Sequence, residues 1–89
     1  MYQVIYSTNA REDLKKLEEK TAQRIIKKIF YFSQQKHPLT FAKRLTKVEL
    51  GRYRFRIGDY RAIFDTDSRG NIQILMILRI KHRKDVYDL

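Results

Sequence analysis

Hydrophobic and polar positions alternate from the first residues. Tyr2 to Ser7 switches sides residue by residue and is rich in β-forming side chains, which predicts a strand. Ser7-Thr8-Asn9 then offers helix-capping oxygens, with Glu12 three residues beyond Asn9. Past this point the period lengthens. Ala10, Leu14 and Leu17 share one face of a short helix, and Glu12 and Lys16 form a favourable pair on the other. A second helix is expected from about Lys20 to Gln35, with Ala22, Ile25, Ile26, Ile29, Phe30 and Phe32 as a wide apolar stripe and Arg24, Lys27 and Lys28 facing out. Two such helices joined by a few residues make an αα-hairpin. His37-Pro38 ends it, because the residue before a proline is biased away from helix.

The remainder has the two-residue period of strands. Arg52, Arg54 and Arg56 alternate with Tyr53, Phe55 and Ile57. Gly58-Asp59 is a two-residue turn signal and Tyr60 to Asp65 returns. A second turn is expected at Asp67-Ser68-Arg69-Gly70, and a third strand from Asn71 to Lys81. That last strand is apolar on both faces through its middle, which suits an interior place in a sheet. The order β-α-α-β-β-β predicts an α+β fold: an N-terminal strand and an αα-hairpin packed on a twisted, mainly antiparallel sheet. With no repeat, linker or low-complexity stretch, the 89 residues read as one domain, 1–89.

Charge sharpens this picture. Twenty Lys and Arg face ten Asp and Glu, a net charge of +10, and residues 43–84 hold twelve of the basic groups against four of the acidic ones. Such an excess raises affinity for polyanions through counterion release. Cysteine is absent, which excludes disulfides, thiolate metal sites and a cysteine nucleophile and agrees with a reducing cytoplasmic setting. The N-terminus lacks the pattern of a signal peptide, and the longest apolar run, Ile74 to Leu78, is far short of the ~20 residues that span a bilayer, so no membrane association is expected.

The hairpin concentrates the charge. With Gly58-Asp59 as its loop, Ile57 lies opposite Tyr60, Arg56 opposite Arg61 and Arg54 opposite Ile63, while Arg52 alone meets an acid, Asp65. Like charges opposed across antiparallel strands cost roughly 0.2–1 kcal/mol per pair. Long arginine stems could simply cover an exposed sheet face and fan into water. A face built to hold an anion explains the pairing better, since the guanidinium fork matches phosphate oxygens. After the third strand, His82 stands between Lys81 and Arg83, the one group of this basic half that titrates near neutral pH.

These residues carry a resemblance. The run from Arg52 to Phe64, with its basic alternating strand, tight turn and Tyr60-Arg61, resembles the core pattern of the RelE/ParE toxin superfamily. Ile80-Lys81-His82-Arg83-Lys84-Asp85-Val86-Tyr87 resembles the closing motif, and Arg44-Leu45-Thr46 the usual lead into the first hairpin strand. The resemblance implies the toxin of a type II toxin–antitoxin system, and a RelE-like endoribonuclease that cleaves messenger RNA on the ribosome. It implies a cytoplasmic protein whose αα-hairpin, Ala10 to Gln35, helps bind a cognate antitoxin in a hetero-oligomer. Carried over by position, it makes Arg61, His82, Arg83 and Tyr87 catalytic and Arg54, Arg56 and Lys81 RNA-binding. Lysines often stand in the family where Arg54 and Arg56 stand here, which leaves the general base open.

The chemistry that fits is metal-free and cofactor-free attack of the RNA 2′-hydroxyl on its own phosphate, with no two-histidine spacing or acidic cluster to suggest a metal. On this reading Arg61 and Arg83 stabilise the transition state, Arg54 and Arg56 position the backbone, His82 exchanges a proton and Tyr87 stacks on a base. Two other activities fit the same sequence: a ParE-like gyrase inhibitor without nuclease chemistry, and a plain basic nucleic-acid-binding module.

Overall fold

The computed structural model describes residues 1–46 and 49–86. In chain order the elements are β1 (Tyr2–Tyr6), α1 (Thr8–Lys15), α2 (Glu19–Ser33), a 3-10 turn (Pro38–Phe41), β2 (Ala42–Arg44), β3 (Tyr53–Ile57), β4 (Tyr60–Arg69), β5 (Ile72–His82) and a second 3-10 turn (Arg83–Asp85). They build one five-stranded sheet in the order β1-β5-β4-β3-β2, antiparallel except where β1 runs parallel to β5. The helices cover one face, giving the α+β arrangement the pattern predicts. The interior place expected for the last strand is occupied by β5, which pairs on both sides.

Several local expectations are displaced. Of the three capping candidates the one used at α1 is Ser7, without the Asn9–Glu12 spacing: its hydroxyl accepts from the Ala10 amide at 3.0 Å and donates to the Leu78 carbonyl at 2.8 Å, tying the helix start to β5. Glu12 pairs with Lys15, at 3.7 Å, instead of Lys16. The second hairpin turns at Gly70-Asn71, so β4 runs on through Asp67 and Ser68. Gly70 takes φ +61, and among the described residues only glycines have a positive φ, the pattern of a turn with glycine first. The extra edge strand β2 pairs with β3 through Lys43↔Arg54; three residues are too short a run to show a period.

The core lies between helices and sheet. Ile25, Ile29 and Phe32 of α2 and Ala10 of α1 meet Phe55, Ala62, Phe64, Leu75, Ile77 and Ile80. Phe32, Phe55 and Phe64 form an aromatic column with ring centres 4.5 and 4.3 Å apart, which pins the middle of β3 and β4. The stripe of α2 is narrower than expected: Ile26 and Phe30 remain 42% and 61% exposed, Phe30 beside a groove against β1. The opposite face of the sheet carries a smaller cluster, in which Leu45, Leu50 and Val86 fold over Ile63.

Candidate nucleic-acid interface

Pairing across the sheet decides which charges share a face. The hairpin register is the expected one, Ile57↔Tyr60, Arg56↔Arg61 and Arg54↔Ile63, and the glycine at φ +59 in its Gly58-Asp59 turn explains the tightness. On the other side of β4, Arg61 pairs with Lys81 and Ile63 with Arg79. Directly paired residues point the same way, so Arg56, Arg61 and Lys81 stand abreast on three adjacent strands, on the face away from the helices. Arg54 stands one row along, and the apolar cover on Ile63 borders the rows. The expected Arg52–Asp65 contact takes a different form: the Asp65 carboxylate accepts the Arg52 backbone N–H at 2.7 Å.

Arg61 is the centre of the arrangement. It is 7% exposed, yet none of the ion pairs among the described residues uses it. Its Nη1 donates to the carbonyls of Gly58 at 3.0 Å and Tyr60 at 2.9 Å, folding the guanidinium back onto the turn. Burial, and then the charges of Arg54, Arg56 and Arg83, lower its pKa, with Asp59 pulling the other way. Arg54 is lowered too, by burial and by Arg56. The buried Nε of both Arg54 and Arg61 has no acceptor among the described residues. An unmet buried donor costs about 1–3 kcal/mol, and arginine keeps its proton throughout.

Arg83 enters from the closing 3-10 turn. Its amide donates to the Asp59 carbonyl at 2.8 Å and its Nε lies 3.7 Å from the Asp59 carboxylate, which ties the chain end to the hairpin loop. His82 goes elsewhere. It pairs with Tyr60 on the helix-side face, ring centres 5.3 Å apart, and its Nδ1 accepts the Lys84 amide at 3.2 Å. While that bond holds, Nε2 carries the proton. The ring opens on a groove of about 260 Å³ that Lys81, Arg79, Lys16, Leu17 and Asp85 also line. Arg54, Arg56, Arg61 and Arg83 are therefore gathered together, close enough for the other three charges to act on Arg61; Lys81 is in register with Arg61 but lines the same groove as His82 and acts on Asp13, and Tyr87 lies outside the described residues. No group of three or more potential metal ligands occurs among the described residues.

Sequence reasoning missed Asp13. Its carboxylate receives Arg79 Nε at 2.8 Å and Nη2 at 3.0 Å, and the Ile80 amide at 2.9 Å. β1 ends opposite Ile77, so without Asp13 the β5 edge leading to Lys81 would have an unpaired amide. Burial works to raise the Asp13 pKa, but the bonds from Arg79 and Ile80, with the Arg79 and Lys81 charges, outweigh it and leave it lowered. The available signal was an acid three residues after Ala10, at the edge of the apolar stripe of α1.

The chain is similar to known proteins in sequence and in fold. Residues 4–87 match the family described as ParE toxin of type II toxin–antitoxin system, parDE. Toxin RelG of Mycobacterium tuberculosis is 32% identical over 87 residues, 97% of this chain and 95% of the relative. The crystal structure of the toxin–antitoxin complex RelBE2 from the same organism contains a chain that superposes with a TM-score of 0.77 at 31% identity, covering 92% of this chain and 98% of that one.

Proposed function

The chain belongs to the ParE toxin family of type II toxin–antitoxin systems, within the RelE/ParE superfamily, and from that premise we propose that its basic sheet face binds and cleaves messenger RNA on the ribosome. The observation that carries the reading is Arg61, a buried guanidinium with no carboxylate partner among the described residues, ringed by the charges of Arg54, Arg56 and Arg83. Surface basicity alone does not require such a residue. A site for a phosphate whose charge grows during reaction does.

The reaction is transesterification within the RNA. The 2′-oxygen forms a bond to the adjacent phosphorus as the bond from phosphorus to the 5′-oxygen breaks. One group takes the 2′-hydroxyl proton and another supplies a proton to the leaving oxygen. Arg61 and Arg83 stabilise the equatorial oxygens, and Arg54 and Arg56 hold the backbone. Lys81, in register with Arg61, is the member of the row able to exchange a proton; His82 would have to act from the helix side. Tyr87 is proposed to stack on a base. No metal or cofactor is required. The cognate antitoxin is proposed to cover the αα-hairpin, where Ile26 and Phe30 lie open and Phe30 borders a groove against β1; the chain similar in structure was solved in a toxin–antitoxin complex.

A translation reaction with purified ribosomes, followed by mapping of message ends, tests the proposal. Cleavage that requires ribosomes and disappears in Arg61→Met is expected. Intact messages together with inhibited gyrase supercoiling would sink it in favour of gyrase inhibition, an activity the match to a ParE family keeps in play. RNA binding without either effect would leave a nucleic-acid-binding module.

A further inference from the structure

A second basic surface lies on the outside of α2. Lys20, Arg24, Lys27, Lys28 and Tyr31 recur at the spacing of one helix face and line, with Gln23, an open depression of about 500 Å³. None of the ion pairs among the described residues involves these four cations. The face spans about 16 Å from Lys20 to Tyr31 at 1.5 Å per residue, and Tyr31 is 50% exposed. It is not isolated from the arginine rows. A Cβ placed on Gly58 would lie 3.5 Å from Arg24 Nη2, so Arg24 rests against the hairpin turn. The carbonyl of that same glycine receives Arg61 Nη1. One turn therefore has Arg24 on one side and Arg61 on the other.

We propose that α2 continues the anion site around the hairpin tip, so that one strand of RNA runs from the Arg61 pocket past Gly58 and along Lys20, Arg24, Lys27 and Lys28, with Tyr31 as a stacking platform. The inference rests on the RNA reading of the arginine face and extends it. Contact with an acidic protein segment would use the same charges. The junction at Gly58 favours RNA, because a polyanion already held at Arg61 needs no break to reach Arg24. The exposed apolar side chains of α2, Ile26 and Phe30, sit four residues apart on a different flank of the helix, where Phe30 meets the groove against β1, and leave the basic face to a ligand recognised by charge and stacking.

The test uses two 2′-O-methyl oligouridines, which cannot be cleaved, of about 4 and about 12 nucleotides. Affinities are measured across a salt series for the wild-type chain, for Arg24→Gln/Lys27→Gln/Lys28→Gln and for Arg56→Ala. Thermal midpoints verify folding, and Lys20→Gln/Lys27→Gln replaces the triple variant if that one does not fold. The longer probe should bind the wild type at least ~10-fold more tightly than the shorter, and the triple variant should lose that gain while its salt slope falls by about 2, at ~0.7 per phosphate contact. Arg56→Ala should weaken both probes. Equal affinity for the two lengths, with Arg56→Ala still weakening both, would overturn the α2 track and leave the arginine site standing. If Arg56→Ala weakens neither probe, the RNA reading itself fails and takes the track with it. Unchanged RNA affinity in the triple variant, with weaker binding of poly-glutamate, would make α2 a protein-binding face and reject the inference.

Discussion

Asp13 shows how one carboxylate can set the position of residues far from it in sequence. It closes the edge of β5 where β1 no longer reaches, and Lys81 follows one residue after the amide it holds. Asp13→Asn keeps one acceptor and loses the charge, so a loss of about 1–2 kcal/mol is expected, discounted for the partly exposed Arg79. Because the Asp13 pKa is lowered in the folded chain, its stabilisation is present above the unfolded value and is lost as pH falls through the folded one. The stability gap between wild type and Asp13→Asn should hold steady above about pH 5 and close below about pH 4; urea melts across that range measure it. Lys81 and His82 are adjacent in sequence, pair with different residues of β4 and both line one groove at the end of β5. If proton transfer occurs on the arginine face, Lys81→Met should slow single-turnover cleavage by ~10²–10⁴-fold, and His82→Gln by less than ~10-fold. The reverse ranking would return the proton to His82.

At the scale of elements, the two hairpin turns form a natural pair. Gly58 and Gly70 have nearly the same φ, +59 and +61, and an added Cβ would meet Arg24 at 3.5 Å in the first and nothing within 4 Å in the second. Neither contact is a clash, so alanine at either position should cost a similar ~1–2 kcal/mol of backbone strain. Of these two glycines, Gly58 is the one whose carbonyl accepts from Arg61. Gly58→Ala should therefore lower RNA affinity and cleavage, whereas Gly70→Ala should lower the melting temperature alone. Equal loss of activity in both variants would mean that overall stability, and not the placement of Arg61, limits function. The helices divide their labour in a similar way: α1 latches β5, and α2 supplies Ile25, Ile29 and Phe32 to the core while its outer face stays basic.

The whole molecule carries a net charge of +10 and concentrates several of its arginines in one cluster, so self-repulsion opposes the folded state. A bound polyvalent anion should relieve it. Inorganic phosphate at ten times its Kd would add about 1.4 kcal/mol, or roughly 5–11 °C in Tm for a domain of this size. Sodium chloride at matched ionic strength should give much less. Arg61→Met, which removes the buried charge without shortening the side chain greatly, should abolish most of the phosphate response. A full response in that variant would place the main anion site outside the arginine rows.

What the sequence determined by itself was whatever depends on local periodicity: strand, helix pair and strands, the Gly58-Asp59 turn, the register Arg56↔Arg61 that follows from it, and the gathering of positive charge in the second half. A two-residue period and a tight turn leave little freedom in how a hairpin pairs, so the arginine pairing was legible. The motifs around Arg61 and Arg83 carried the family for the same reason, being contiguous. Tertiary structure alone decided what depends on packing between distant segments. It paired β5 with both β1 and β4, which brought Lys81 beside Arg61 and, by the alternation of side chains along a strand, sent His82 to the helix side. It placed Asp13 on the bare edge of β5, left Ile26 and Phe30 exposed, and buried Arg61 beneath its own turn. Each outcome depends on which element fills the neighbouring space, and a charge or an apolar side chain reads the same in a sequence whether that space is water, a helix or another charge.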